Sequence, residues 1–297
     1  MPDSVTRLAP AKLNLALHVT AKRTDGYHDI DSLVAFADFG DRVTVSPAEA
    51  DAFIVTGHYA PMVPIDEGNL VLAARDLLRA QAGAERASPA CITLEKNLPV
   101  ASGVGGGSSD AAATLRALKA LWDVEADLDR LAVAALPLGA DIPMCLAGRP
   151  LHARGVGNVI NPLEAFPDVD AVLVNPGLPV STPAVFGALE KRDNAPLPCP
   201  HDFADAAALV RYLDATRNDL QHAAVSLCPM IADTLDALAA NGAMLARMSG
   251  SGATCFGLFD GVGFATAAAD AIRRAQPGWF VEACRIRGTK EANDGGN

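Results

Sequence analysis

The spacing of apolar positions changes along this chain, and the changes mark out its elements. From Lys12 to Val19 (K-L-N-L-A-L-H-V) apolar residues alternate with period two, which predicts a strand with one buried face. Arg23–Gly26 (R-T-D-G) is turn chemistry, and Asp41–Val45 reads as a second short strand. Leu70–Gln81 has a helical period, with Gly83 placed to stop it. After a β-type run at Ala90–Leu94, Ala111, Leu115, Leu118 and Trp122 fall on one helical stripe, and another helix fits Leu128–Leu136. The texture restarts near Asp170 with the strand V-D-A-V-L-V-N-P-G. Helices then fit 204–214 and 229–240, the latter closed by Asn241-Gly242. A hairpin-like run follows at 245–259, then a helix at 263–275 and a last strand at 281–286. The proline-rich 195–200 reads as a surface loop, and the tail from Gly288 onward as frayed.

At 297 residues the chain can bury a substantial core, and its length fits two lobes, with a cut near 160 in N-P-L-E-A-F-P. This gives domains 1–160 and 161–297. Alanine is abundant and aromatics make up only 5%, so helices packed through small side chains are expected. The net charge of −11 argues against a nucleic-acid or anionic-membrane partner, yet leaves room for a local cluster of donors around an anionic small molecule. The six cysteines form no C-x-x-C pair and no two histidines have helical ligand spacing, which argues against zinc and thiol-redox sites. The first residues lack an apolar signal core and no apolar run approaches membrane length, so the expected location is cytoplasmic.

Chemistry concentrates in P-V-A-S-G-V-G-G-G-S-S-D-A-A-A-T-L, from Pro99 to Leu115. Gly105, Gly106 and Gly107 permit positive φ and close approach to a ligand, and Ser108 or Ser109 is a natural N-cap. The helix behind them aims its positive end at the loop, which makes an anion site, most often for phosphate. The bland reading is a flexible hinge, but hinges seldom run strand, glycine triplet, serine pair and amphipathic helix in that order. Neither G-x-x-x-x-G-K-[ST] nor G-x-G-x-x-G fits, because no lysine follows the glycines and Ser108 replaces the third glycine. A second pair, Gly250 and Gly252 in R-M-S-G-S-G-A-T, reads by itself as a hairpin turn. Lys12 and Asn14 interrupt one face of the first strand, where a lysine is more often a solvated edge residue.

Taken in order, A-P-A-K-L-N-L (9–15), Pro99-x-x-x-Gly103-x-Gly-Gly-Gly-Ser-Ser-Asp110-Ala-Ala and Gly250-Ser-Gly252-Ala resemble a GHMP kinase. D-G-Y-H (25–28), G-A-D-I-P (139–143), V-N-P-G (174–177), S-T-P-A-V-F (181–186) and R-N-D-L (217–220) are similar to the branch acting on a cytidine-containing acceptor. The resemblance spans residues 9–259. It implies an α+β, two-lobed GHMP kinase fold, with an N-terminal lobe like domain 2 of ribosomal protein S5 and a ferredoxin-like C-terminal lobe. It also implies transfer of the ATP γ-phosphoryl to the 2-hydroxyl of cytidine diphosphate-linked methylerythritol, in the non-mevalonate route to isoprenoid precursors. A monomer or weak homodimer is expected, with no nucleic-acid or membrane partner.

Residue by residue, the resemblance makes Asp141 the base and Lys12 its cationic partner. A hydroxyl near pKa 15 needs a carboxylate to take its proton. The plain alternative for Asp141 is a turn or capping aspartate. His28 would pair with cytosine and Tyr27 would stack on it. Asn14 would touch the erythritol portion, and Thr182 and Phe186 would wall the cytidine pocket. Thr182-Pro183 is also a good N-cap pair, and Phe186 an ordinary core aromatic. Asn69 and Lys96 match positions near adenine. Pro99, Gly103, Gly105–Gly107, Ser108 and Ser109 match the nucleotide loop. Ser108 and Ser109 are candidates for phosphate or Mg²⁺ contact, and no second carboxylate presents itself as a metal ligand, so Mg²⁺ would ride mainly on ATP oxygens and water. Val104 stands where leucine is common, and Asn158 and Gln221 stand where glutamate is expected. The rival readings are a GHMP kinase for homoserine or mevalonate, and a non-catalytic nucleotide sensor.

Overall fold

The computed structural model describes residues 3–83, 85–200 and 202–289; of the tail expected to fray, Lys290–Asn297 lies outside them. The chain divides into two compact units. One comprises residues up to 11 with 39–100 and 105–147; the other comprises 12–38, 101–104 and the chain from 148 onward. Both are thus discontinuous, and the cut expected near 160 falls inside the second unit.

Two long strands feed both units: β1 (Val5–Lys22) and β2 (His28–Pro47), paired with each other and joined through Arg23–Tyr27. In the first unit β3 (Ala52–Thr56), α1 (Leu70–Ala82) and β4 (Ala90–Glu95) form a β-α-β crossover. Its strands run parallel from Ala52↔Cys91 to Thr56↔Glu95, and β4 pairs antiparallel with β2 over Arg42–Pro47. Asn69 caps α1 by accepting from the Val71 N–H at 2.9 Å, and Gly83 ends it with φ 81°, as expected. Then come α2 (Gly106–Leu121), α3 (Leu128–Ala135) and α4 (Ile142–Ala147). The stripe Ala111, Leu115, Leu118 and Trp122 is buried, and Ala112, Ala113 and Ala117 widen it. Small side chains over so broad a face let neighbouring helices approach closely.

A buried ion cluster pins the start of α2. The Lys96 ammonium lies 2.5 Å from Asp41 Oδ2 and 2.8 Å from Asp110 Oδ2, and none of the three residues is more than 4% exposed. Asp41 Oδ1 also accepts from the backbone N–H groups of Asn97 and Leu98, at 2.6 and 2.8 Å. Burial drives the Asp110 carboxyl up to about 8, against the pull of Lys96, and the Asp41 charge pushes the same way. Burial lowers the Lys96 ammonium, but the two carboxylates outweigh it and leave it raised.

The second unit holds β5 (Leu151–Gly155), β6 (Val159–Pro162), β7 (Val169–Asn175), α5 (Thr182–Gly187), α6 (Ala206–Asp214), α7 (Gln221–Leu227), α8 (Met230–Ala240), β8 (Leu245–Met248), β9 (Cys255–Phe259), α9 (Val262–Ala275) and β10 (Phe280–Ile286). The antiparallel order β10-β7-β9-β8 is 4-1-3-2 in this unit's own count, the order of a ferredoxin-like β-α-β-β-α-β fold. Ile231 and Leu238 of α8 and Ala269 and Ile272 of α9 pack with Val172, Val174 and Cys255 of the sheet. β5 pairs with β2 over Ile30–Val34.

The first strand departs from its expected pattern. It runs well beyond 12–19, and Ala11–Val19 are buried on both faces. Leu17 and Val19 enter the core, while on the opposite face His18 Nδ1 meets the Ala195 carbonyl at 2.9 Å and its Nε2 meets the Arg217 N–H at 3.3 Å. Polar atoms with exact partners substitute there for solvent. Similarly, Arg247 of β8 is buried, and its guanidinium donates to the carbonyls of Leu15, Leu213 and Thr216 and to Thr216 Oγ1, at 2.8–3.0 Å.

Two stability predictions follow from these buried charges. Arg247→Leu removes four hydrogen bonds to buried oxygen acceptors and should lower the unfolding free energy by about 2–4 kcal/mol in urea titration. For Asp110, the folded-state pKa lies above the unfolded one. Its contribution is therefore complete below the unfolded value and is lost as pH rises through about 8. The stability of wild type relative to Asp110→Asn should fall between pH 4 and 8, with a limiting slope of about 1.4 kcal/mol per pH unit. A parallel pH dependence of the two proteins in chemical denaturation would contradict the assignment.

Candidate active site

The first unit carries the glycine loop's helix and Asp141. Gly105 takes the left-handed conformation (φ 63°, ψ 24°) at the N-cap, with no side-chain cap, and α2 starts at Gly106. The expectation of a serine N-cap, and of positive φ through all three glycines, is therefore corrected. A glycine that turns the chain at Gly105 lets the helix begin three to four residues earlier, and Gly106 and Gly107 are already helical. Ser109 N donates to Gly105 O at 2.9 Å, so the N–H groups of Gly106, Gly107 and Ser108 precede the first helical hydrogen bond. Those three donors, with the helix dipole behind them, favour an anion.

The same turn faces the G-A-D-I-P segment. A Cβ on Gly139 would lie 3.8 Å from Ser108 Oγ. Ser109 is buried, its hydroxyl donating to the Pro10 carbonyl at 2.7 Å and lying 3.3 Å from Cys145 Sγ on α4. Asp141 sits directly ahead of α4, half-buried, and its carbonyl accepts from Cys145 N at 3.0 Å. Ser109 is thus an internal tie, whereas Ser108 stays partly open beside Gly139. Pro99 is buried in the connection from β4 to α2. Of the two residues expected near adenine, Asn69 uses its side chain to cap α1 and to donate to Pro64 O at 2.7 Å. Lys96 commits its ammonium to Asp41 and Asp110.

In the second unit the three matched motifs meet. Lys12 N donates to Val104 O at 2.9 Å. Asn14 N donates to Ser249 Oγ at 3.1 Å, and that hydroxyl donates to Gly103 O at 3.0 Å. Thr254 N reaches Ser102 O at 3.0 Å. A Cβ on Gly103, which has φ 79°, would lie 2.5 Å from Ser249 O and 2.7 Å from Gly252 N, so only glycine permits this approach. Gly250 and Gly252 are therefore more than a hairpin turn. Lys12 and Asn14 are buried at 4% and 2%, not solvated edge residues, and Asn14 Nδ2 donates to Ser32 Oγ at 2.8 Å.

His28 stacks on Phe186, with ring centroids 4.9 Å apart and an interplanar angle of 24°. Its Nε2 is buried and has no hydrogen-bond partner among the described residues. Burial first, then the charges of Arg192 and Lys22, lower its pKa and favour the neutral imidazole. Tyr27 next to it is 65% exposed. Ser181, not Thr182, is the N-cap of α5, accepting from Ala184 N, and Pro183 stands one position inside it. The Thr182 hydroxyl is thereby released from capping and lies 2.7 Å from Ser251 Oγ, next to the glycine turn. Phe186 is only partly buried against the core.

Several supports escaped sequence reasoning. Asn218 of R-N-D-L donates to the carbonyls of Met248 and Gly250, both at 2.8 Å, and Asp219 accepts from Val19 N at 2.7 Å. That motif holds the glycine turn and the first strand, a role its matched but unexplained wording left open. Gln221, standing where glutamate was expected, accepts from Met248 N at 3.0 Å, as a glutamate oxygen could. Asn158 accepts from Val156 N in the β5–β6 turn. Asp41 gave no signal, because nothing local ties it to Lys96 and Asp110.

Comparison with known proteins bears on the same residues. The family described as GHMP kinases N terminal domain matches residues 69–149, and that described as GHMP kinases C terminal matches 186–277. The 4-diphosphocytidyl-2-C-methyl-D-erythritol kinase of Mesorhizobium japonicum is 56% identical over 93% of this chain and 94% of its own. The protein of the same name from Chelativorans sp. is 54% identical, covering 94% of this chain and 95% of its own. A crystal structure of a 4-(cytidine 5'-diphospho)-2C-methyl-D-erythritol kinase superposes with a TM-score of 0.78 at 37% identity, over 95% of this chain and 98% of that one. With the motifs assembled as described, the chain belongs to the GHMP kinases, in the branch of the 4-diphosphocytidyl-2-C-methyl-D-erythritol kinases.

Proposed function

We propose that this chain transfers the γ-phosphoryl group of ATP to the 2-hydroxyl of 4-diphosphocytidyl-2-C-methyl-D-erythritol, in the non-mevalonate supply of isoprenoid precursors. The observation that carries the reading is the meeting of Lys12–Asn14, Gly103–Val104 and Ser249–Gly252, the three motifs that mark the family, in one hydrogen-bonded cluster. Residues for each task are retained, which speaks against a non-catalytic sensor. The stacked His28 and Phe186, with an unpaired ring nitrogen, suit a base rather than an aliphatic acceptor such as homoserine or mevalonate.

In this reading Asp141 accepts the proton of the 2-hydroxyl as the oxygen attacks the γ-phosphorus, and Lys12 stabilises the charge that develops. The N–H groups of Gly106, Gly107 and Ser108 hold phosphate oxygens, so the protein acts mainly by positioning and electrostatics. Neutral His28 pairs with cytosine, while Tyr27 and Phe186 bracket the ring. Asn14 is held in place by Ser32 for the erythritol portion, and Thr182 stands at the edge of the same pocket. Mg²⁺ would enter as a partner of the nucleotide, carried mainly by ATP oxygens and water. Ser108 is the hydroxyl open to its water shell, and the ion would neutralise phosphate charge. The protein would work as a cytoplasmic monomer or weak dimer.

An assay of ATP consumption with the cytidine acceptor, mevalonate and homoserine should show turnover with the first alone. Turnover only with the simple alcohols would overturn the substrate, and nucleotide binding without transfer would favour a sensor. Asp141→Asn and Lys12→Ala should keep wild-type circular dichroism and lose about 10²–10⁴-fold in kcat. Phe186→Ala should raise the KM of the cytidine acceptor about tenfold or more, from lost stacking, and leave the KM of ATP within twofold.

A further inference from the structure

The Asp41–Lys96–Asp110 cluster lies directly beneath the first residue of α2. A Cβ on Gly106 would stand 3.1 Å from Lys96 Nζ and 3.8 Å from Asp41 Oδ2, so a side chain there would push the ammonium by a few tenths of an ångström. Lys96 is itself held on both sides of its backbone. Its N–H donates to Thr56 O at 2.8 Å, and its carbonyl lies 2.6 Å from where a Cβ on Gly57 would be. Asp41 is anchored by the N–H groups of Asn97 and Leu98. The cluster thus connects the second half of β2, the residue after β4 and the first turns of α2 through one cation.

Such a cluster is a poor device for stability alone. Removing three ionisable groups from water is costly, and apolar residues of similar volume commonly do as well or better. One lysine also cannot neutralise two carboxylates, and Asp110 Oδ1 has no hydrogen-bond partner in the interior. A protonated Asp110 removes the excess charge: the cluster is then neutral and places no net negative charge behind a helix start that, in the proposed function, receives phosphate.

We propose that Asp41, Lys96 and Asp110 are positioning residues for nucleotide binding: they fix the first turn of α2 so that the N–H groups of Gly106, Gly107 and Ser108 converge on the triphosphate. The inference rests on the reading of that turn as the triphosphate site. Lys96 acts through the loop and not as a direct partner of phosphate, since its ammonium already has two carboxylate acceptors.

The test is titration calorimetry of Mg·ADP with the full chain, beside steady-state kinetics. Asp110→Ala should weaken Mg·ADP binding and raise the KM of ATP by tenfold or more, with kcat and the acceptor KM within threefold of wild type. Asp110→Asn, which keeps the shape and an acceptor for Lys96, should restore ADP affinity to within threefold. Should Asp110→Ala not fold, Gly106→Ala serves instead: its φ suits alanine, its Cβ displaces the ammonium, and ADP binding should weaken by a similar factor. Amide exchange over 105–109 should accelerate in either weakened variant. Wild-type ADP affinity in a folded Asp110→Ala or in Gly106→Ala overturns the proposal, as does an Asp110→Asn protein as weak as Asp110→Ala. Because ADP binding needs no acceptor, loss of the cytidine reading would leave these outcomes intact, and the reverse also holds.

Discussion

A single buried hydroxyl carries much of this architecture. Ser249 Oγ accepts from Asn14 N and donates to Gly103 O, joining segments 235 and 146 residues away from it in sequence. It can do so only because Gly103 and Gly250 lack side chains. A Cβ on Gly250 would stand 2.7 Å from Gly103 O, and one on Gly103 would be closer still to Ser249 O. The three motifs are therefore not three sites but one piece of packing. Val104, which receives the Lys12 N–H, leads by one peptide bond into Gly105 and the helix start. The strand that bears Lys12 and the loop that introduces α2 are thus set by the same contacts.

The arrangement also explains how an acidic chain handles an anionic nucleotide. Net charge does not supply the attraction. Lys96 is close to the loop, yet its charge is answered by Asp41, and Asp110 is pushed toward its neutral form by burial. What the loop itself offers is oriented backbone N–H and a helix dipole, both indifferent to the protein's overall charge. Under the proposed function the absence of a Walker lysine is no deficit, because the loop would contribute geometry and Lys12 the cation.

Much of the fold was legible, for reasons that differ by element. α1 and α3 declare themselves because an apolar stripe and a capping residue lie within one short window, Asn69 for α1 and Asp127 for α3, whereas α9 shows itself by its stripe alone. β1 was misjudged as one-faced because its polar partners, Ala195 and Arg217, lie far along the chain. α4, α5 and α7, at six or seven residues, are too short to show a period. The site's members were legible as wording, and their supports were not. Ser109 looked like a cap and proved an internal tie to Pro10. Thr182 looked like a cap and was released by Ser181. Asp110 carries no local sign of its role, which comes from Lys96 and from Asp41, sixty-nine positions upstream.

These cases share one physical cause. A hydrogen bond to a backbone group imposes no demand on the partner's identity, so it leaves no trace at the partner's position. Gly103 O, Pro10 O, Met248 O and Gly250 O are all acceptors of this kind. The only sequence record of such contacts is on the donor side, or in a glycine that makes room for them. R-N-D-L illustrates the point: Asn218 and Asp219 are meaningful because of the carbonyls and the N–H they meet, none of which needs a particular side chain. Glycine and short polar residues in matched but unassigned motifs are therefore the places where a kinase site of this type hides its scaffolding, and the chemistry-bearing lysine and aspartate depend on them for their geometry.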